Sequence, residues 1–137
     1  MGRECALQIL YQVELNPSSL KEASESFWSE HANVAEESRL FAEKILNGTR
    51  EHMVEIDAVI VKATENWELS RMAVVDRNIL RFATYELLYL ADVPPKVTIN
   101  EAVNIAKKFS QEESGKFVNG VLDRIKNTEK PRHASAE

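Results

Sequence analysis

Val75-Asp76-Arg77-Asn78-Ile79-Leu80-Arg81-Phe82-Ala83-Thr84-Tyr85-Glu86-Leu87-Leu88-Tyr89-Leu90 is the stretch that decides the fold. At about 100° per residue, Val75, Ile79, Phe82, Ala83, Leu87 and Leu90 cover nearly half of the helix circumference. So wide an apolar arc predicts a central helix packed on several neighbours, running from about Ser70 to Leu90. Asp92-Val93-Pro94-Pro95 stops it, because proline removes a donor and restricts the residue before it. Glu86 falls in the middle of the arc, about 180° from Arg77. A buried carboxylate is costly alone, so Glu86 is expected to accept hydrogen bonds or an ion pair from a neighbouring helix. Asp76 lies in the same arc near the helix start. It either favours the helix N-terminus through the macrodipole or meets a partner protein, and spacing alone leaves both open. The opposite face shows Arg77 and Arg81, followed by Thr84 and Tyr85. It reads as a solvated face or as a cationic strip for phosphates or acidic side chains.

On the N-terminal side every strong pattern also has helical spacing. Arg3 to Leu15 forms a first helix with Ala6, Ile9, Leu10 and Val13 on one face. Asn16-Pro17-Ser18 is a turn. Ser19 and Glu22 make a capping box for a second helix to about His31, anchored by Phe27 and Trp28. A long third helix is expected from about Ala35 to Ala63, with Gly48 inside it marking a close helix crossing. Glu65-Asn66-Trp67-Glu68 is the expected boundary between an N-terminal half (1–64) and a C-terminal half (65–127). Beyond the central helix, Thr98-Ile99-Asn100-Glu101 reads as a second capping box, starting a helix to about Phe109. A last helix spans about Ser114 to Asn127, and 128–137 reads as a disordered tail. The expected fold is all-α: six to seven helices in two three-helix bundle-like halves.

Composition narrows the function. With 137 residues and 44% apolar content the chain is an ordinary globular size, one domain or two subdomains sharing a core. No apolar run approaches the roughly 18 residues of a membrane span, and the start Met1-Gly2-Arg3-Glu4 has no secretory pattern. Cys5 is the sole cysteine, which excludes an internal disulfide and fits a reducing cytoplasm. His31, His52 and His133 are far apart and give no metal-ligand spacing. There is no phosphate loop and no nucleophile elbow. The residues therefore point to a binding protein rather than an enzyme, with no cofactor. The net charge of −5 resides wholly in residues 1–64, while residues 65–137 are neutral. A neutral half can carry local basic patches, although the chain lacks the global field of a strong stand-alone nucleic-acid binder. Short single-stranded contacts, or help from a basic partner, are what this charge allows.

The last helix carries the most informative surface pattern, Gly115-Lys116-Phe117-Val118-Asn119-Gly120-Val121-Leu122-Asp123-Arg124. Val118, Val121, Leu122 and Ile125 fill its apolar arc, and Phe117 sits at the rim beside Lys116, Gly120 and Arg124. Phe117 reads either as a core residue or as a ring that stacks a splayed base, with the cations engaging phosphates.

Five segments read together carry a resemblance. They are Arg3-Glu4-Cys5-Ala6-Leu7-Gln8-Ile9-Leu10-Tyr11, Val75 to Arg81, Tyr85-Glu86-Leu87, Pro94 to Ala102, and Lys116-Phe117-Val118-Asn119-Gly120-Val121-Leu122. In this order and spacing the chain resembles the NusB family of bacterial transcription antitermination factors, from Arg3 to about Ile125. The resemblance implies binding to the boxA element of ribosomal RNA transcripts as a heterodimer with NusE, a small-subunit ribosomal protein. That complex would join NusA, NusG and RNA polymerase. It implies that Arg3, Tyr11, Lys116 and Phe117 face RNA, with Gln8 a weaker candidate and Glu113 an acidic neighbour. Arg124 joins this group from the helix wheel. Asp76 matches an acidic position that meets NusE, with Arg77 beside it. The family usually begins with an arginine-rich arm of which only Arg3 remains here, so either the start is mis-called or part of the RNA grip is lost, and RNA binding by the isolated chain is the less secure expectation. Two alternatives follow: an adaptor that binds NusE with reduced RNA contact, or an RNA-binding domain like those heading some ribosomal RNA cytosine methyltransferases. A bare partner-binding surface would also allow a homodimer when the chain is free.

Overall fold

The computed structural model describes residues 1–16 and 19–132. Among these it is all-helical, with seven α-helices and one short 3₁₀ turn. They are α1 (Gly2–Leu15), α2 (Leu20–Glu30), α3 (Glu36–Glu51), α4 (Met53–Ala63), α5 (Val74–Tyr89), α6 (Pro95–Phe109) and α7 (Glu112–Thr128), with the 3₁₀ turn at Leu69–Arg71. No described helix is long and apolar enough to cross a membrane.

Helix α5 is the centre. It packs on α1, α3, α4, α6 and α7, and it is buried on nearly every side, Thr84 and Tyr85 included. The expected solvated face therefore does not exist, because α3 and α4 cover what the wheel left open. Gly48 makes the α3 crossing possible: a Cβ there would lie 2.0 Å from the Tyr85 ring. Ser19 and Glu22 form the expected capping box of α2. Residues Pro17 and Ser18 of the expected turn lie outside the described residues.

Four boundaries differ from the sequence reading, each for a local reason. The long third helix is two helices, because His52 leaves helical geometry (φ −110°, ψ 23°). Its ring stacks on Tyr89 at 4.1 Å. The break lets α4 pack on α5 and α7. The central helix starts at Val74 rather than Ser70. Arg77 donates to the Met72 and Leu69 carbonyls at 3.0 and 3.3 Å, which holds the preceding residues as a separate turn. Helix α6 begins at Pro95, with proline's preset φ at the first helical position. Thr98 is consequently not a cap; its hydroxyl donates to Glu86 at 2.9 Å. The last helix begins at Glu112, with Glu112 and Glu113 in the first turn, where the helix dipole favours acids.

The expected tail is in part ordered onto the body. The Arg132 amide donates to the Leu88 carbonyl at 2.5 Å, and its guanidinium pairs with Glu55 at 2.5 Å. Residues 133–137 of that tail lie outside the described residues.

Candidate nucleic-acid interface

Glu86 is fully buried, as the wheel requires, and it is fully answered. Arg3 donates to it through Nε (2.9 Å) and Nη2 (2.8 Å), and Thr98 adds a third hydrogen bond. Such a bidentate pair, with one partner fully desolvated, fixes α1 and α6 against α5. Arg3 also lies over the Phe41 ring at 4.9 Å. Arg3, expected on an RNA face, thus has its guanidinium bound to Glu86, with part of the side chain still exposed.

Arg77, expected beside the NusE-facing Asp76, is likewise held by its own chain. It pairs with Glu14 of α1 and with two backbone carbonyls. Arg81 chelates Asp57 at 2.9 and 3.2 Å and reaches Glu14 at 3.4 Å. Asn78 donates to the other Glu14 oxygen at 3.0 Å. The cationic strip thus meets acidic side chains of its own chain. Burial pushes the Glu14 carboxyl up, but the hydrogen bonds from Arg77 and Asn78 and the nearby charges outweigh it. Glu14 ends below the ordinary glutamate value.

Asp76 sits in the first turn of α5 and is 8% exposed. Ser114 Oγ donates to Oδ2 at 3.1 Å, and Ser110 bonds Ser114 in turn at 2.9 Å. Oδ1 is buried without any hydrogen-bond partner. Burial pushes this carboxyl up from the ordinary aspartate value, and the Ser114 bond opposes that only in part. Among the described residues, no donor reaches that oxygen.

The first turns of α7 present a different surface. Lys116 is exposed and Phe117 is half-buried against the core. A Cβ placed on Gly120 would meet nothing within 4 Å, so the flank of the ring is open. Trp67 stands edge-on to Phe117, with centroids 5.3 Å apart and planes at 76°. It is 44% exposed. The turn that delivers it uses left-handed backbone at Glu65 (φ 58°) and Asn66 (φ 71°). Arg124 is half-exposed and pairs with exposed Glu65 at 3.7 Å, a weak, solvent-screened contact. Glu113 is exposed at the start of the same helix.

Gln8 and Tyr11 are exposed on α1 and line a separate cleft of about 640 Å³ with Leu15, His31, Val75 and Phe109. Phe117 is not among its walls. The structure thus groups Lys116, Phe117 and Arg124, and places Gln8 and Tyr11 in a second aromatic recess. Sequence reasoning missed Trp67 and Phe109. The signal for Trp67 was available: a large apolar ring in a polar turn has no helix face to fill. Among the described residues, no group of three His, Cys, Asp or Glu side chains is arranged to hold a metal.

The fold and site together define an all-helical binding module, with aromatic rings and exposed cations on one surface and a buried acid with one unpartnered oxygen near another. Residues 2–127 match the model of the NusB family, and the chain belongs to that family. It is 49% identical over 127 residues to the transcription antitermination protein NusB of Desulfitobacterium hafniense, covering 91% of this chain and 85% of that one. It is 44% identical over 147 residues to the Thermodesulfovibrio yellowstonii protein of the same name, covering 99% and 96%. Among solved structures it is similar to T. maritima NusB, with a TM-score of 0.86, 40% identity and coverage of 96% and 92%. It is similar also to a NusB in a crystal structure of antitermination factors NusB and NusE in complex with dsRNA. There the TM-score is 0.84 and the identity 30%, covering 92% and 93%.

Proposed function

We propose that the chain is a cytoplasmic transcription antitermination factor that binds boxA RNA of ribosomal RNA transcripts as a heterodimer with NusE. The observation that carries this reading is the Phe117–Trp67 ring pair, flanked by Lys116 and the open space at Gly120. A splayed base can stack on an accessible aromatic while lysine meets the backbone, and stacking contributes roughly 1–3 kcal/mol per base. Gln8 and Tyr11 extend the RNA surface, and Glu113 and Arg124 border it. Asp76 is the NusE contact, at the acidic position the resemblance assigns to that partner, and its Oδ1 has no hydrogen-bond partner among the described residues. NusA, NusG and RNA polymerase are reached through the same complex, and the bare NusE-facing surface pairs with itself when the chain is free.

A second reading, an adaptor that binds NusE with weakened RNA contact, gains from Arg3, whose guanidinium is bound to Glu86. A gel-shift titration with boxA RNA at low salt separates the two. The first reading expects a shift that strengthens when NusE is added. No shift in either condition defeats it and leaves the adaptor.

A further inference from the structure

Lys107 is the last-turn cation of α6 that lies across the start of α7. It gets there because Gly115 is buried and has no side chain. A Cβ on Gly115 would lie 2.9 Å from Lys107 Cγ and 3.1 Å from its Cε. The first distance is shorter than real Cβ contacts come, so an added Cβ would displace the lysine stem. The Lys107 stem is therefore laid down on the α7 backbone, while the ammonium emerges 3.6 Å from Glu112. Both side chains of that pair are well exposed, at 45% and 70%, so the bond is weak and easily exchanged.

Angular order then matters. Gly115 and Lys116 are about 100° apart on α7, and Phe117 follows about 100° further on. A strand crossing the exposed face of α7 meets the Lys107 ammonium, then Lys116, then the Phe117 ring. Neighbouring Lys108 points to a different place: its ammonium lies 3.1 Å from Glu4 of α1 and 5.4 Å from the Phe109 ring centre.

We infer that Lys107 is a further phosphate-contacting residue of the RNA face, with Gly115 as the positioning residue that lays it there and Glu112 as its resting counter-ion. This rests on the RNA-binding reading above. The ordering of a lysine stem normally opposes binding, and here the fold has already done it. Binding exchanges the Glu112 carboxylate for a phosphate.

Fluorescence anisotropy with a labelled single-stranded boxA RNA, across a salt series, tests this on the full chain with and without NusE. Each phosphate contact to a single strand contributes about 0.7 to the slope of log affinity against log salt. Lys107→Gln should lower affinity and flatten that slope by about 0.7 while leaving the melting temperature unchanged. Gly115→Ala should move affinity and slope the same way with Lys107 still present. Lys108→Gln should leave the slope alone. An unaltered slope in Lys107→Gln, with wild type binding normally, overturns the inference. An unaltered Gly115→Ala overturns the positioning role. A lowered NusE affinity measured without RNA, with the RNA slope intact, would assign Lys107 to the protein partner instead. Failure of the wild type to bind RNA in either condition overturns the RNA-binding reading itself, and this inference with it.

Discussion

The cations of α5 and those around α7 look alike in sequence and behave as opposites in the structure. Arg77 and Arg81 lie one turn apart on one helix, as an RNA-facing strip would. Yet both are drawn inward by Glu14 and Asp57, and Arg3 is drawn in by Glu86. Lys116 is exposed, and Lys107 and Arg124 have only exposed partners, Glu112 and Glu65. The difference is the acid opposite each cation and how dry that acid is. A carboxylate largely withdrawn from water gains from a charged partner, and Glu86, Glu14 and Asp57 each hold a guanidinium. An exposed one is already hydrated and holds its cation weakly. Arginine suits the first task through its planar, bidentate fork, and lysine suits the second as a mobile point charge.

The comparison breaks most visibly at Glu86. Glu86→Ala should cost about 3–5 kcal/mol, because it strands Arg3 beside the core. The RNA salt slope of the protein that remains folded should not change. Chemical denaturation with an RNA titration checks both halves, and a flattened slope would return Arg3 to the RNA face.

Glu14→Ala should cost about 2–3 kcal/mol, less than Glu86 because its pairs are part-exposed. The sign with pH follows from the direction of its shift. A carboxyl held below its ordinary value of 4.5 stabilises the fold above that value. That contribution fades as pH falls through the lowered one. The gap between wild type and Glu14→Ala in melting scans should therefore close in acid, and a gap that widens there would contradict the network.

On the α7 side the effects should appear in binding rather than in folding. Trp67→Ala should weaken RNA affinity by roughly 1–3 kcal/mol if the exposed ring stacks a base. Its melting temperature should fall little, since nearly half of the ring is already in water. Equal RNA affinity in the two proteins would leave Trp67 as a cover for Phe117 only.

The smallest effect should come from Asp76→Asn, and in the stabilising direction. Asp76 has a raised pKa in the fold, so its charged form is penalised once pH exceeds its ordinary value of 3.8. The amide avoids that penalty and should gain about 1 kcal/mol at pH 7. The gain should vanish below pH 3.8, where wild type carries the proton. NusE affinity should drop in the same variant. A destabilised Asp76→Asn at pH 7 would show that the carboxylate serves the fold instead.

Much of this was legible in the residues. The width of the α5 arc announced a central helix, Gly48 announced a close crossing, and Glu86 announced a buried pair. The α2 capping box is local chemistry and needs no tertiary context. What was not legible depended on neighbours. A wheel gives an angle but not the helix that covers it, so Tyr85 read as exposed until α3 closed over it. Thr98 had the spacing of a cap, but the demand of Glu86 outweighed it. The break at His52 carries no proline or glycine to announce it. The Phe117 position at the rim was visible in the sequence, and Trp67 was visible as a residue but not as its partner, because a turn with left-handed backbone brings them together.

Phe117→Ala tests the central claim most directly, with RNA affinity and melting temperature measured on the same preparation. If Phe117 stacks a base, boxA affinity falls by roughly 1–3 kcal/mol. The account also predicts a stability loss smaller than the roughly 3–5 kcal/mol of a core phenylalanine. Unchanged RNA affinity together with a full core-sized loss of stability would contradict it.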